Sequence, residues 1–225
     1  AQAGAAAGMG RALSSLAPRL METRIVIFAK APVPGKVKTR LVPALGEEGA
    51  ASLARRMLRD TVREARKVGV AEVELCAAPP PDHPDWKDLL PPTLIEDQGE
   101  GDLGERLARA AERVIAGGQR VIFVGTDCPQ LNERRLRQAC WELEGHDAVI
   151  HPTFDGGYAL LGLRRFDPSI FASIEWSTAS VARTTIARIG ALGWDLHIGE
   201  TLQDIDEPQD LSALPSGAAT ATARG

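Results

Sequence analysis

The sequence predicts an α/β fold, and three observations carry that expectation. Arg24-Ile25-Val26-Ile27-Phe28-Ala29 and Val121-Ile122-Phe123-Val124 are continuous apolar runs bounded by turn residues. Such runs read as strands buried on both faces. Between them lie segments of helical spacing, such as residues 47–68, where Leu53, Ala54, Met57, Leu58, Thr61, Ala65 and Val68 form one stripe. Third, the run at 121–124 passes straight into Gly125-Thr126-Asp127-Cys128-Pro129. In an open α/β sheet, ligands bind just beyond the carboxyl ends of the strands. Asp127 is therefore expected at the rim of a cleft, where a carboxylate can hold a metal ion. Capping of the following helix is its bland alternative.

Length and composition narrow the class. The chain has 225 residues, 44% of them hydrophobic, which suffices for one good-sized α/β domain or two small ones. A formal charge of −4 argues against a broad nucleic-acid surface. Cys76, Cys128 and Cys140 form no CxxC pair and give no disulfide framework, so a reducing, cytoplasmic setting fits best. Cys128, beside Asp127, reads as a small strand-end residue rather than a nucleophile. No apolar run approaches the ~18 residues needed to span a bilayer. Residues 1–22 lack a continuous apolar stretch and are expected to be a flexible leader, with Met21 as an alternative start. Residues 23–213 are expected to form the domain, and 214–225 a frayed tail.

The loop after the first strand reads Lys30-Ala31-Pro32-Val33-Pro34-Gly35-Lys36-Val37-Lys38-Thr39-Arg40. Lys36, Lys38 and Arg40 alternate, so in an extended segment all three point to one side. Either they hold phosphate or they form a solvated basic turn. Asp60 lies on the edge of the 47–68 stripe, either pairing with a cation of that loop or covering the surface. A strand at 72–77 leads into a Pro-rich connection, Pro79 to Pro84, with a further Pro pair at 91–92. This is expected to be a wall or lid of the cleft, or a surface excursion.

A short strand at 94–96 precedes Gln98-Gly99-Glu100-Gly101-Asp102-Leu103-Gly104-Glu105-Arg106 and a helix with Leu107, Ala110, Ala111 and Val114 on one face. Glycines before a helix allow close approach of a ligand. Arg106 opposes the helix dipole, which favours a ligand or carboxylate partner for it. A helix at 132–144 and a strand at 147–151 follow. Asp155-Gly156-Gly157 then leads into another strand, ending at Leu163. Asp155 either contacts an acceptor or a metal, or forms an Asp-Gly turn. A helix to about 192 is expected to be capped by Ser177 or Thr178. A strand at 194–198 and Asp204-Ile205-Asp206-Glu207-Pro208-Gln209-Asp210-Leu211 complete the pattern. His83, His146, His151 and His197 show no HxxxH or HxH spacing, so structural zinc is not expected.

Taken together, FAKAPVPGKVKTRL, QGEGDLGERL, GTDCPQL, FDGGYALLGL, EWST and DIDEPQDL resemble one family. It is the glycosyltransferase-A-like transferase family associated with radical-SAM and selenium-related domains, within the nucleotide-diphospho-sugar transferase superfamily. The resemblance spans roughly residues 23–213 and implies a three-layer α/β/α sandwich with a mixed, mainly parallel sheet. It also implies a nucleotide sugar or nucleoside triphosphate donor, bound with Mg²⁺ or Mn²⁺, and a small-molecule acceptor. By position, Asp127 matches the strand-end metal carboxylate, and Asp206 the second carboxylate, with Asp204 as neighbour. Lys36, Lys38 and Arg40 match the phosphate loop. Gln98, Gly104 and Arg106 lie where base and ribose contacts are expected. Asp155 is the candidate for acceptor orientation or general-base work, with Gly156, Gly157, Trp176 and Ser177 on the acceptor side.

Position 125 is Gly125 rather than the first Asp of a DxD pattern. The resemblance as a whole implies a glycosyltransferase, and that departure points toward a nucleotidyltransferase. A nucleotide-binding domain without catalysis is the third reading.

Overall fold

The computed structural model describes residues 22–89 and 93–214. The expected leader and tail, and the Pro pair at 91–92, lie almost wholly outside them. Seven strands form one sheet: β1 Thr23–Lys30, β2 Ala71–Ala78, β3 Leu94–Asp97, β4 Arg120–Val124, β5 Ala148–Pro152, β6 Tyr158–Leu163 and β7 Leu196–Ile198. Their order is β3-β2-β1-β4-β6-β5-β7. Strand β6 runs antiparallel to both β4 and β5, and the other pairings are parallel. The sheet is thus mixed and mainly parallel, as expected.

Four α-helices cover it: α1 Val42–Lys67, α2 Leu103–Ala116, α3 Glu133–Gly145 and α4 Val181–Ala191. One face of the sheet carries Ile25, Ile27, Ile122 and Val149, which pack with Leu58 and Val62 of α1 and Leu136 and Leu143 of α3. The opposite face carries Val26, Phe123, Ile150 and Leu161, which pack with Leu107 and Val114 of α2 and Ile189 of α4. Alternate residues of one strand thus feed two cores. This is why β1 and β4 read as unbroken apolar runs, and every residue of β4 is buried. Burial of a large apolar side chain is worth about 1.5–3 kcal/mol, so this double coverage is the main stabilising term for the sheet.

Side-chain caps explain two of the four helix starts. Asp102 and Glu105 form a reciprocal capping box on α2, each side chain accepting from the other's backbone N–H. Asn132 caps α3 by accepting from Arg135 N. Asp127 therefore does not cap that helix, which removes the bland alternative for it. Helix α1 begins earlier than its apolar stripe suggests, but Gly46 breaks it with φ of 70°. Helix α4 starts after Ser180, not at Ser177 or Thr178. The reason is backbone shape: Ser177 sits at φ of 63°, inside the turn that precedes the helix. Asp60 pairs with Arg63 on the surface of α1 rather than with the loop cations. Among the described residues, no helix is long and apolar enough to cross a membrane.

Candidate active site

The site grows from the carboxyl end of β4. Beyond Val124 the chain turns through Gly125 and Thr126 to Asp127. A late segment, residues 202–207, is laid against this turn. Leu202 N donates to Pro152 O at 2.8 Å, Phe154 N donates to Leu202 O at 3.2 Å, and Ile205 N donates to Asp127 O at 2.9 Å. These bonds bring Asp204 and Asp206 beside Asp127. Asp210 fixes the turn from behind, its Oδ2 accepting from Asp206 N at 3.2 Å and Glu207 N at 2.7 Å. Glu207 and Asp210 form a reciprocal cap at the start of the 3₁₀ turn Pro208–Ala213.

Lys38 joins the two carboxylates. Its ammonium lies 2.5 Å from Asp127 Oδ1 and 3.2 Å from Asp206 Oδ1, and donates to Ile205 O at 2.6 Å. The Lys38 side chain is only 5% exposed, whereas Asp127 and Asp206 are 50% and 40% exposed. Lys38 reaches this position from a left-handed backbone, φ 46° and ψ 43°. A non-glycine residue there is uncommon and costs about 1 kcal/mol or more, so the surrounding contacts must hold it.

Negative charge outweighs positive in this cleft. Asp127, Asp155 and Asp204 line one small cavity of about 130 Å³ together with Thr153 and Tyr158. Burial, and then the charges of Asp155, Asp206 and Asp210, push the Asp204 carboxyl up to about 6. Asp155 is held by Thr153 Oγ1 at 2.5 Å and Gly157 N at 2.8 Å, both donating to its Oδ1. The Asp-Gly turn is therefore real, and the same residue also borders the cleft. An all-oxygen donor set with excess negative charge suits a hard divalent cation.

A second cavity, of about 210 Å³, adjoins the first and shares Gly125, Asp155, Gly157, Tyr158 and Ala159 with it. Its other walls include Phe28, Leu103, Phe123, Trp176 and Ser177. Tyr158 Oη and Trp176 Nε1 are buried without a hydrogen-bond partner among the described residues. Burial pushes the Tyr158 phenol pKa upward, so it remains a donor.

Several expected site residues go elsewhere. The basic loop is not extended, because residues 39–41 form a 3₁₀ turn after the left-handed Lys38. Its three cations consequently diverge. Lys36 pairs with Asp85 at 2.7 Å, Lys38 is buried on the aspartates, and Arg40 lies 3.6 Å from Glu207. Gln98 is buried and donates to Ala29 O and Cys76 O, bridging β1 and β2. Arg106 finds carbonyl partners rather than a carboxylate, donating to Gly101 O at 2.9 Å and Gln98 Oε1 at 3.4 Å. A Cβ at Gly104 would meet Phe171 O at 2.6 Å, so that glycine serves close packing. Gly156, at φ of 90°, abuts the Ala179 backbone in the same way. Gly157, Trp176 and Ser177 do line the larger cavity with Asp155. Phe28, Phe123 and Tyr158 complete the walls. Phe28 and Tyr158 lie within the motifs FAKAPVPGKVKTRL and FDGGYALLGL, but an aromatic in an apolar strand does not by itself announce a cavity wall. Burial raises the Cys128 thiol pKa, which disfavours a nucleophilic thiolate.

With this geometry in hand, the class is that of nucleotide-diphospho-sugar-transferase-like α/β folds. A protein provisionally described as a nucleotide-diphospho-sugar transferase, from Desulfovibrio desulfuricans G20, is 31% identical over 90% of each chain, with a TM-score of 0.81. Two more distant structures share the fold. CMP:2-keto-3-deoxy-manno-octonic acid synthetase, complexed with CTP, is 12% identical over 85% of this chain and 96% of its own, with a TM-score of 0.53. The 4-diphosphocytidyl-2C-methyl-D-erythritol synthase of Anaerococcus prevotii is 12% identical over 86% and 96%, also at 0.53. The chain belongs to the family described as "Uncharacterized protein conserved in bacteria" (DUF2064), which matches residues 61–178. No curated protein matches the chain.

Proposed function

We propose that this chain is a metal-dependent transferase that takes a nucleotide-activated donor, with sugar transfer from a nucleotide-diphosphate sugar as the first reading. One observation carries it: Asp127, Asp204 and Asp206 converge on a cleft with one buried ammonium, beside an aromatic-walled cavity. The provisional description of the Desulfovibrio desulfuricans protein supports the same reading.

Asp127 and Asp206 would hold Mg²⁺ or Mn²⁺. Their oxygens are hard donors, and the contacts with Lys38 fall on Oδ1 of each. Bound there, the ion would supply Lewis-acid neutralisation of the departing phosphate. Lys38 adds a fixed positive charge at the same spot, and a preorganised charge acts without reorganisation cost. Lys36 and Arg40 are exposed and would meet donor phosphates by leaving Asp85 and Glu207. Gln98 and Gly104 would shape the wall beneath the base and ribose rather than contact them. Arg106 would reach the ribose by leaving its carbonyl partners. Asp155, oriented by Thr153 and Gly157, would orient an acceptor hydroxyl or take its proton. The aromatic walls would stack an acceptor ring and exclude water. Polar groups on that acceptor would satisfy Tyr158 Oη and Trp176 Nε1.

Nucleotidyl transfer is the second reading, favoured by Gly125 in place of the DxD aspartate. Chromatography of a panel of nucleotide sugars incubated with the protein and Mn²⁺ separates the two. Sugar transfer predicts slow hydrolysis of one nucleotide sugar to its nucleoside diphosphate without acceptor. Pyrophosphate release from a triphosphate, with every nucleotide sugar intact, would replace the first reading by the second. Absence of binding to both donor classes, measured by thermal shift with Mn²⁺, would sink both.

A further inference from the structure

We propose that Glu142, His146 and His197 form a site for a divalent transition-metal ion of the zinc class, separate from the aspartate cleft. Glu142 lies in the last turn of α3 and His146 follows four residues later, so both project from one side of the helix end. His197 comes from β7, the edge strand of the sheet. Glu142 Oε2 lies 3.6 Å from His146 Nε2 and 3.5 Å from His197 Nδ1. One ligand atom from each of the three residues falls within 4.8 Å of the others. Ligands at about 2.0–2.1 Å around a tetrahedral zinc ion stand roughly 3.3 Å apart. The apices therefore need to close by only a few tenths of an ångström on the two carboxylate edges.

A supporting contact orients one ligand. His146 Nδ1 lies 2.9 Å from Asp195 Oδ2, leaving Nε2 to point at Glu142. A carboxylate behind a ligating histidine fixes its tautomer and raises its basicity. The three side chains are 13%, 32% and 30% exposed, so an ion can enter and a fourth position stays open to water. Two imidazoles with one carboxylate favour zinc-class ions, whereas the oxygen-only aspartate cleft favours Mg²⁺ or Mn²⁺. The site would clamp the end of α3 to β7, a three-residue strand with one sheet neighbour. The sequence hides this arrangement because one ligand is a strand residue remote from the other two. The expectation of no histidine metal site came from sequential spacing alone.

The test uses the full chain, stripped with a chelator and then titrated with Zn²⁺ against a chromophoric chelator. One site per chain is expected. Glu142→Gln and His197→Ala should each weaken it at least tenfold, and Asp195→Asn about tenfold. Asp127→Asn and His83→Ala should bind zinc as the native chain does. Co²⁺ should give a visible d–d band in the native chain, and zinc should shift the imidazole NMR signals of His146 and His197 but not of His83. These last readouts need no variant to fold. No stoichiometric zinc binding by the native chain overturns the proposal. So does zinc that shifts neither His146 nor His197, or affinity that is lost in Asp127→Asn and kept in Glu142→Gln.

Discussion

Two carboxylate environments in this molecule make an instructive contrast. Glu74 is wholly buried in β2. It receives Arg24 at 3.1 Å and both terminal nitrogens of Arg113, at 3.0 and 2.5 Å. Two guanidiniums face one carboxylate, and Glu74 holds Arg113 still more firmly protonated. At the β4 rim the ratio is reversed: Asp127 and Asp206 share the Lys38 ammonium, while Asp155 and Asp204 crowd the same cleft. The first network is closed among charges of this chain, Arg24 also pairing with Glu72 at 2.7 Å. The second keeps exposed oxygens and unbalanced charge, which the proposed cation would neutralise. Charge that serves the fold is matched inside the chain, and charge that serves a ligand is left partly unmatched.

Breaking the closed network should have the largest effect on stability. Glu74→Ala takes the buried partner from Arg113 and leaves Arg24 with Glu72 alone. Removal of one partner from a buried pair costs about 3–5 kcal/mol, and the partial exposure of Arg113 brings the expected loss to about 2–3 kcal/mol. Urea unfolding should show that loss, with metal affinity unchanged in the folded protein. A cost below 1 kcal/mol would mean that the arginines escape to water and the network is not closed.

Asp127→Asn tests the open side. It keeps shape and removes one charge, and Asp206 with Ile205 O still holds Lys38. Stability should change by less than about 1 kcal/mol. Mn²⁺-dependent turnover of the donor should fall by about 10²–10³, comparable to losing one preorganised electrostatic partner. Unchanged Mn²⁺-dependent donor affinity would remove Asp127 from the metal site. Next in size, the Lys36→Ala, Arg40→Ala pair should weaken a nucleoside diphosphate by about 1–2 kcal/mol, since each charged hydrogen bond is worth roughly 1.5–3 kcal/mol before solvent screening. The nucleoside alone should bind as before. Equal losses for both ligands would show that these cations do not read phosphate.

The contrast also explains what the sequence could disclose. Strands β1 and β4 were legible because burial on both faces leaves an unbroken apolar run. Asp127 was legible because a strand end in such a sheet faces a cleft. The start of α4 was not, because Ser177 adopts a positive φ that no composition rule anticipates. The basic loop misled because alternation has meaning only in extended backbone, and Lys38 is left-handed. The Lys38 contact with Asp127 and Asp206 is set by tertiary hydrogen bonds of residues 202–207, which leave no local signature. The Glu74 network was hidden for the same reason, since its two arginines come from β1 and α2.

The smallest effect tests the rim most directly. In the folded chain the Asp204 carboxyl pKa is raised from 3.8 to about 6, first by burial and then by Asp155, Asp206 and Asp210. Below the unfolded value the group is protonated in both states and contributes nothing. Between the two values the unfolded chain ionises first, so folding loses stability as pH rises. Above about 6 the folded group is ionised as well, and the penalty is complete. A shift of this size in a fully shielded group would correspond to about 3 kcal/mol. Asp204 is only partly buried, so screening reduces the expected penalty to about 1 kcal/mol. In chelator-treated protein, Asp204→Asn should therefore raise the unfolding free energy by about 1 kcal/mol near pH 7.5 and by almost nothing near pH 4. Mg²⁺ or Mn²⁺ should shrink the gain near pH 7.5, because a cation at Asp127 and Asp206 offsets the repulsion that Asp204 feels. If the gain is the same at both pH values, the substitution acts through packing and the rim carries no excess charge. If it is present near pH 7.5 but indifferent to either ion, the excess is real and the cation belongs elsewhere.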